Sequence, residues 1–191
     1  MPNSDLPTGE VVPVKDLDHD HPGVTPAVSQ ALCEAAAVCL ARHHQPPKDF
    51  SVTMPTDSGR MRFSWDPPDQ RAQSAHAYKH DATKDGAYAI SLICVQHRME
   101  LVAVGEAEAG SGADWYVAPP NAGLDESGAP NLDDPGVRRL EVSGQDLGTP
   151  GYRVGVKKEQ LRQGDSAIPG IASVVAFERA IVRIEHSVSE E

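Results

Sequence analysis

The chain has 191 residues, with 28 Asp plus Glu against 17 Lys plus Arg and a formal charge of −11, which argues against a broad basic face for nucleic acid or an anionic membrane. The length suits one domain with a well-buried core and is short for two. Three cysteines, Cys33, Cys39 and Cys94, lie in apolar helical contexts without a Cys-x-x-Cys spacing, so they read as buried free thiols of a reducing cytoplasm. With no leader-like start and no apolar run of bilayer length, the expectation is a cytoplasmic protein with no membrane partner.

Residues 1–24 carry Pro2, Pro7, Pro13 and Pro22 among acids and show no sustained period, which predicts a flexible arm. The domain then spans 25–188, followed by a tail at 189–191. Thr25-Pro26 supplies a cap and a first-turn proline, and Val28, Leu32, Ala35, Cys39 and Leu40 recur at helical spacing, predicting a helix to about His43. Phe50 to Met54 and Met61 to Trp65 alternate apolar and polar residues around a turn-rich segment and predict a hairpin, so that 25–66 form a helix-plus-hairpin elaboration.

A long helix is predicted from the caps near Asp81 to about Met99, apolar around much of its girth and therefore central. Strands at 101–104, 115–118 and 138–143 follow, with 119–136 as a long mobile loop between the last two. A short helix across Val156 to Gln163, stopped by Gly164, and a buried strand at 171–177 complete the series, with 180–184 extending or pairing with that strand. The predicted class is α/β: a mixed central sheet flanked by helices, with an αβββαβ core over 81–177.

Several motif-like features carry little chemistry. Asp18-His-Asp-His21 sits in the proline-rich arm and reads as solvated chain. Gly110-Ser-Gly112 precedes a strand, whereas a phosphate-cradling Walker loop leads into a helix. Trp115 and Tyr116 point to opposite faces of their strand, so at most one of them lines any groove.

Two carboxylates stand apart. Asp114 lies where Gly-Ser-Gly-Ala turns into a strand, and Glu141 lies inside another strand, in Leu-Glu-Val-Ser. Carboxylates on neighbouring strands can converge on a hard divalent cation. Together with the αβββαβ order, these residues resemble the PD-(D/E)XK, or restriction-endonuclease-like, superfamily, over roughly the C-terminal half of the chain.

The resemblance implies a small bacterial-type protein that hydrolyses phosphodiester bonds of nucleic acid with Mg²⁺, or Mn²⁺ in its place. Asp114 and Glu141 would be ligands, the Val142 carbonyl a further metal-facing oxygen, and Glu108 a third acid. The lysine of the family's motif is replaced by Ser143, so Lys157 or Lys158 on the following helix would supply the cation, with Lys84 as another candidate. The alternative is the same fold with a degenerate site, acting as an immunity, antitoxin or defence-accessory module on a basic protein partner. A third is an unrelated interaction domain in which Asp114 and Glu141 never meet.

Overall fold

The alternating segments form strands, and all of them join one sheet. In the computed structural model, which describes residues 10–163 and 167–187, strands β2 (Lys48–Thr53) and β3 (Ser58–Ser64) make the expected hairpin, with Phe50 opposite Met61. Phe50, Val52, Met61 and Phe63 turn inward and are at most 1% exposed, which is why the period of two is clean here. Strand β8 (Ile181–Ser187) lies parallel beside β2, and β7 (Gly170–Ala176) runs antiparallel to β8. Beyond them come β6 (Arg138–Gln145), parallel to β7, and then β5 (Trp115–Ala118) and β4 (Val102–Glu106), both antiparallel. With β1 (Val11–Pro13) added parallel to β3, the order is β1-β3-β2-β8-β7-β6-β5-β4.

Five helices accompany this mixed sheet among the described residues: α1 (Leu17–Asp20), α2 (Pro26–Ala41), α3 (Gln70–Ala75), α4 (Lys79–Met99) and α5 (Gly151–Gln163). The class is α/β, and the helix, three strands, helix, strand order from α4 to β7 is present. Thr25 caps α2 by accepting from the Val28 amide, with Pro26 in the first turn. Helix α4 starts at Lys79, so Asp81 falls in its first turn, where the helix dipole favours an acid. Helix α5 begins at Gly151, five residues before the apolar pattern announces it, and Gly164 and the 189–191 tail lie outside the described residues.

Helix α4 is the central element. Its buried residues run from Ala82 to Val95 on every side, because α2 packs on one flank and the sheet on another. The Ser91 hydroxyl meets the Ser173 hydroxyl of β7 at 2.8 Å inside this layer. Contact is close enough to require glycine twice. A Cβ on Gly86 would stand 3.0 Å from the Ala36 Cα of α2, and one on Gly144 would stand 2.2 Å from the Thr83 carbonyl oxygen. Helix α5 covers the opposite face of the sheet, where Lys158 pairs with Glu185 of β8 at 2.8 Å.

The N-terminal segment departs from the flexible arm expected for 1–24. Residues 1–9 lie outside the described residues, but Val12, Val14, Leu17, His21 and Val24 are all buried. The Val14 amide reaches the Ser64 carbonyl of β3 at 2.8 Å, while His21 Nδ1 accepts from the Ala103 amide of β4 at 2.9 Å. Eight strands laid flat would set β1 and β4 roughly 34 Å apart. The residues between these two bonds, mostly in one helical turn, reach only about 17 Å. The sheet is therefore curled about α4, and the segment fills the gap between its edges. Only Val11 to Val14 alternate as a strand does; the apolar residues after them follow the shape of that gap.

The 119–136 loop, expected to be mobile, is organised by side-chain-to-backbone bonds. Asp125 Oδ1 accepts from the Ser127 and Ala129 amides, and Asp134 accepts from those of Gly123 and Gly136. The cysteines are free and buried. Burial pushes the Cys33 and Cys39 thiols up to about 11 and that of Cys94 to about 12. Among the described residues no helix is long and apolar enough to cross a membrane.

Two glycine substitutions test the close packing. Gly144→Ala, blocked by helix backbone, should cost about 3 kcal/mol in urea denaturation, while Gly155→Ala on α5, where a Cβ meets nothing within 4 Å, should gain about 0.5–1 kcal/mol. Equal and small effects would show that α4 and β6 are not in backbone contact.

Candidate active site

Asp114 and Glu141 do meet, beside the middle of β6 where β5 begins. The Asp114 amide donates to the Leu140 carbonyl at 2.9 Å, one residue ahead of the first β5 pair. That bond sets its carboxyl against the next stretch of β6. Oδ2 accepts from the Val142 amide at 2.7 Å, and Oδ1 accepts from the Tyr88 hydroxyl of α4 at 2.5 Å. The N–H and C=O of one strand residue point to the same edge, so the Val142 carbonyl also opens on the side of Asp114.

Glu141 and Ser143 project from the other face of β6, toward α5. Glu141 is 7% exposed. Burial, then the charge of Asp114 beside it, push its carboxyl up to about 7, against the pull of Lys157. Lys157 Nζ donates to Glu141 Oε1 at 2.5 Å. Burial, then the bond to Asp114, hold the Tyr88 hydroxyl protonated.

The remaining candidates separate. Lys157 joins the pair, whereas Lys158, about 100° further round α5, turns to Glu185. Lys84 Nζ stands 5.8 Å over the Tyr88 ring and 3.7 Å from Asp85, at the lip of the site. Glu108 Oε2 accepts from the Tyr116 hydroxyl at 3.0 Å. Tyr88 was not singled out by its spacing, because a tyrosine among apolar helix residues reads as core. Arg153 and Lys79 were missed as well, since their role depends on how α5 and α4 are placed.

Two hollows share Asp114. A cleft of about 430 Å³ is lined by Lys79, Lys84, Arg153 and Lys157 together with Asp114 and Asp146. On the other side a trough of about 630 Å³ is lined by Glu106, Glu108, Asp114 and Glu141, with Gln160 and Gln163. At the cleft's far end Asp146 receives His43 at 2.9 Å, Lys79 at 3.4 Å and Arg42 at 3.6 Å, tying α2, α4 and β6 together. Burial alone would raise the Asp146 carboxyl, but these partners hold it below its ordinary value.

The donors at the centre are oxygens only: two carboxyls and one strand carbonyl. Among the described residues no group of three or more His, Cys, Asp or Glu side chains is placed to hold a metal ion. That set fits Mg²⁺, which takes one or two carboxylates and keeps waters, better than Ca²⁺ or Zn²⁺, which need more protein ligands. Comparison with family models, with curated proteins and with solved structures returned no match.

The carboxyl pair makes a pH prediction. A carboxyl raised in the fold contributes stability that is complete below its unfolded value of 4.5 and is lost as the pH climbs through about 7. In chelator, wild type should lose up to about 3 kcal/mol more than Glu141→Gln between about pH 5 and 8. Parallel denaturation profiles for the two proteins would show that Glu141 is not perturbed.

Proposed function

We propose that this chain is a divalent-cation-dependent nuclease of the PD-(D/E)XK kind, hydrolysing phosphodiester bonds in nucleic acid. The observation that carries the proposal is the 2.5 Å contact between Lys157 Nζ and Glu141 Oε1, a cation delivered from α5 to the place that Ser143 leaves without one. The four basic residues in the adjoining cleft also support it, given that the whole chain is acidic.

Asp114, Glu141 and the Val142 carbonyl would hold Mg²⁺ or Mn²⁺, which when bound would polarise the scissile phosphate and lower the pKa of a coordinated water. Tyr88 and the Val142 amide fix the Asp114 carboxyl in place, between the two hollows. Glu141 gives up its proton when a cation takes that proton's place. Lys157 remains beside Glu141 and stabilises charge developing on the phosphate oxygens. In the overall reaction water adds a hydroxyl to phosphorus and a proton to the leaving sugar oxygen as the P–O bond breaks, giving a phosphomonoester and an alcohol.

A second reading has the charge of −11 and the acidic trough in its favour: a degenerate nuclease-fold module that binds a basic protein partner. Calorimetry and cleavage assays together separate the two. Under the nuclease proposal Mg²⁺ or Mn²⁺ binds with proton release near pH 7, and Asp114→Asn abolishes binding. Lys157→Ala keeps the cation but lowers cleavage of a labelled oligonucleotide by on the order of 10²–10³. Cleavage that survives chelator, or that is unchanged in Glu141→Ala, contradicts the proposal.

A further inference from the structure

We infer that the site takes the terminus of a single strand: the strand lies over Lys79, Lys84 and Arg153, and ends at the Asp114–Glu141 pair. The inference rests on the nuclease proposal and adds the form of the substrate. Its basis is the opposite charge of the two hollows that meet at Asp114. On the cleft side Lys79 and Lys84 have side chains 69% and 51% exposed, held only by Asp146 at 3.4 Å and Asp85 at 3.7 Å, loose pairs that a phosphate backbone can replace. On the trough side Glu106 and Glu108 add to the central carboxyls, and none of the described lining residues is a cation.

A strand continuing past the pair would carry its next phosphates over Glu106 and Glu108, well inside the ~8 Å screening length. A strand that stops at the pair meets no such repulsion. The cleft's 430 Å³ is the scale of a small-ligand site, which suits an unpaired strand. One exposed ring stands beside the cleft: Tyr78, 70% exposed, has its ring 6.1 Å from that of His80, a lining residue. Exposed rings beside cations are the usual platform for unpaired bases. Hydrolysis at this position releases a terminal nucleotide and leaves a strand one residue shorter, with water supplying the hydroxyl and the proton as before.

The test compares a labelled linear single-stranded oligonucleotide with a covalently closed circle of the same sequence, both with full-length protein and Mn²⁺. The linear strand should shorten from one end in single-nucleotide steps while the circle is cut at least about tenfold more slowly, and Glu106→Lys should raise cutting of the circle relative to the line. Equal rates on line and circle overturn the terminus preference and leave the hydrolase standing. A Glu106→Lys variant with an unchanged ratio overturns the part assigned to the trough. No cutting of either substrate overturns the nuclease proposal and this inference with it.

Discussion

Enclosure of α4 is the constraint from which the site's geometry follows. The helix is buried from Ala82 to Val95 by α2 and by a sheet curled far enough for one short segment to bond to both of its edges. Backbone meets backbone at Gly86 and Gly144, so α4 cannot slide or rotate without breaking contacts on two sides. Its first turns are thereby fixed over the end of β6. That places the Tyr88 hydroxyl on Asp114 and sets Lys79 and Lys84 along the cleft. Core packing and the aim of the site are one arrangement.

The electrostatics run against ordinary stability. Two carboxyls brought together in a buried place repel when both are charged, and a single lysine does not offset the cost, which is why Glu141 holds its proton toward neutral pH. Under the proposed function, a bound cation would take that proton's place. The contrast with Asp146 is instructive, because that carboxyl has a histidine, a lysine and an arginine around it and stays ionised. His21 shows the opposite solution. Burial, set against the charge of Asp20, lowers it to about 4, so it is neutral and accepts from the β4 backbone.

Much of the frame was legible because its elements have clean periods. The hairpin, α2, α4 and the strand order around Asp114 and Glu141 all follow from residue spacing and caps. What the sequence concealed depends on shape. The Val12 and Val14 alternation is too short to stand out among prolines and acids, Leu17 and His21 fill an irregular gap, and α3 (Gln70–Ala75), capped by Asp69, has no buried face to give it a period. The choice between Lys157 and Lys158 turned on one helical step. The sorting of charge into a basic cleft and an acidic trough was invisible, since Lys79 and Arg153 are far apart in the chain and the net charge averages both hollows away.

The central claim is that Lys157 supplies, from the helix, the cation that position 143 lacks on the strand. Ser143 shares the Glu141 face of β6, so a lysine placed there would reach the same point from the other side. The most direct measurement is Mn²⁺-dependent cleavage of a single-stranded oligonucleotide by Lys157→Ala and by the double variant Ser143→Lys/Lys157→Ala, with folding of both verified. Loss of cleavage in the single variant and its recovery in the double is the expected result. Full cleavage by Lys157→Ala, or a folded double variant as inactive as the single, would contradict it.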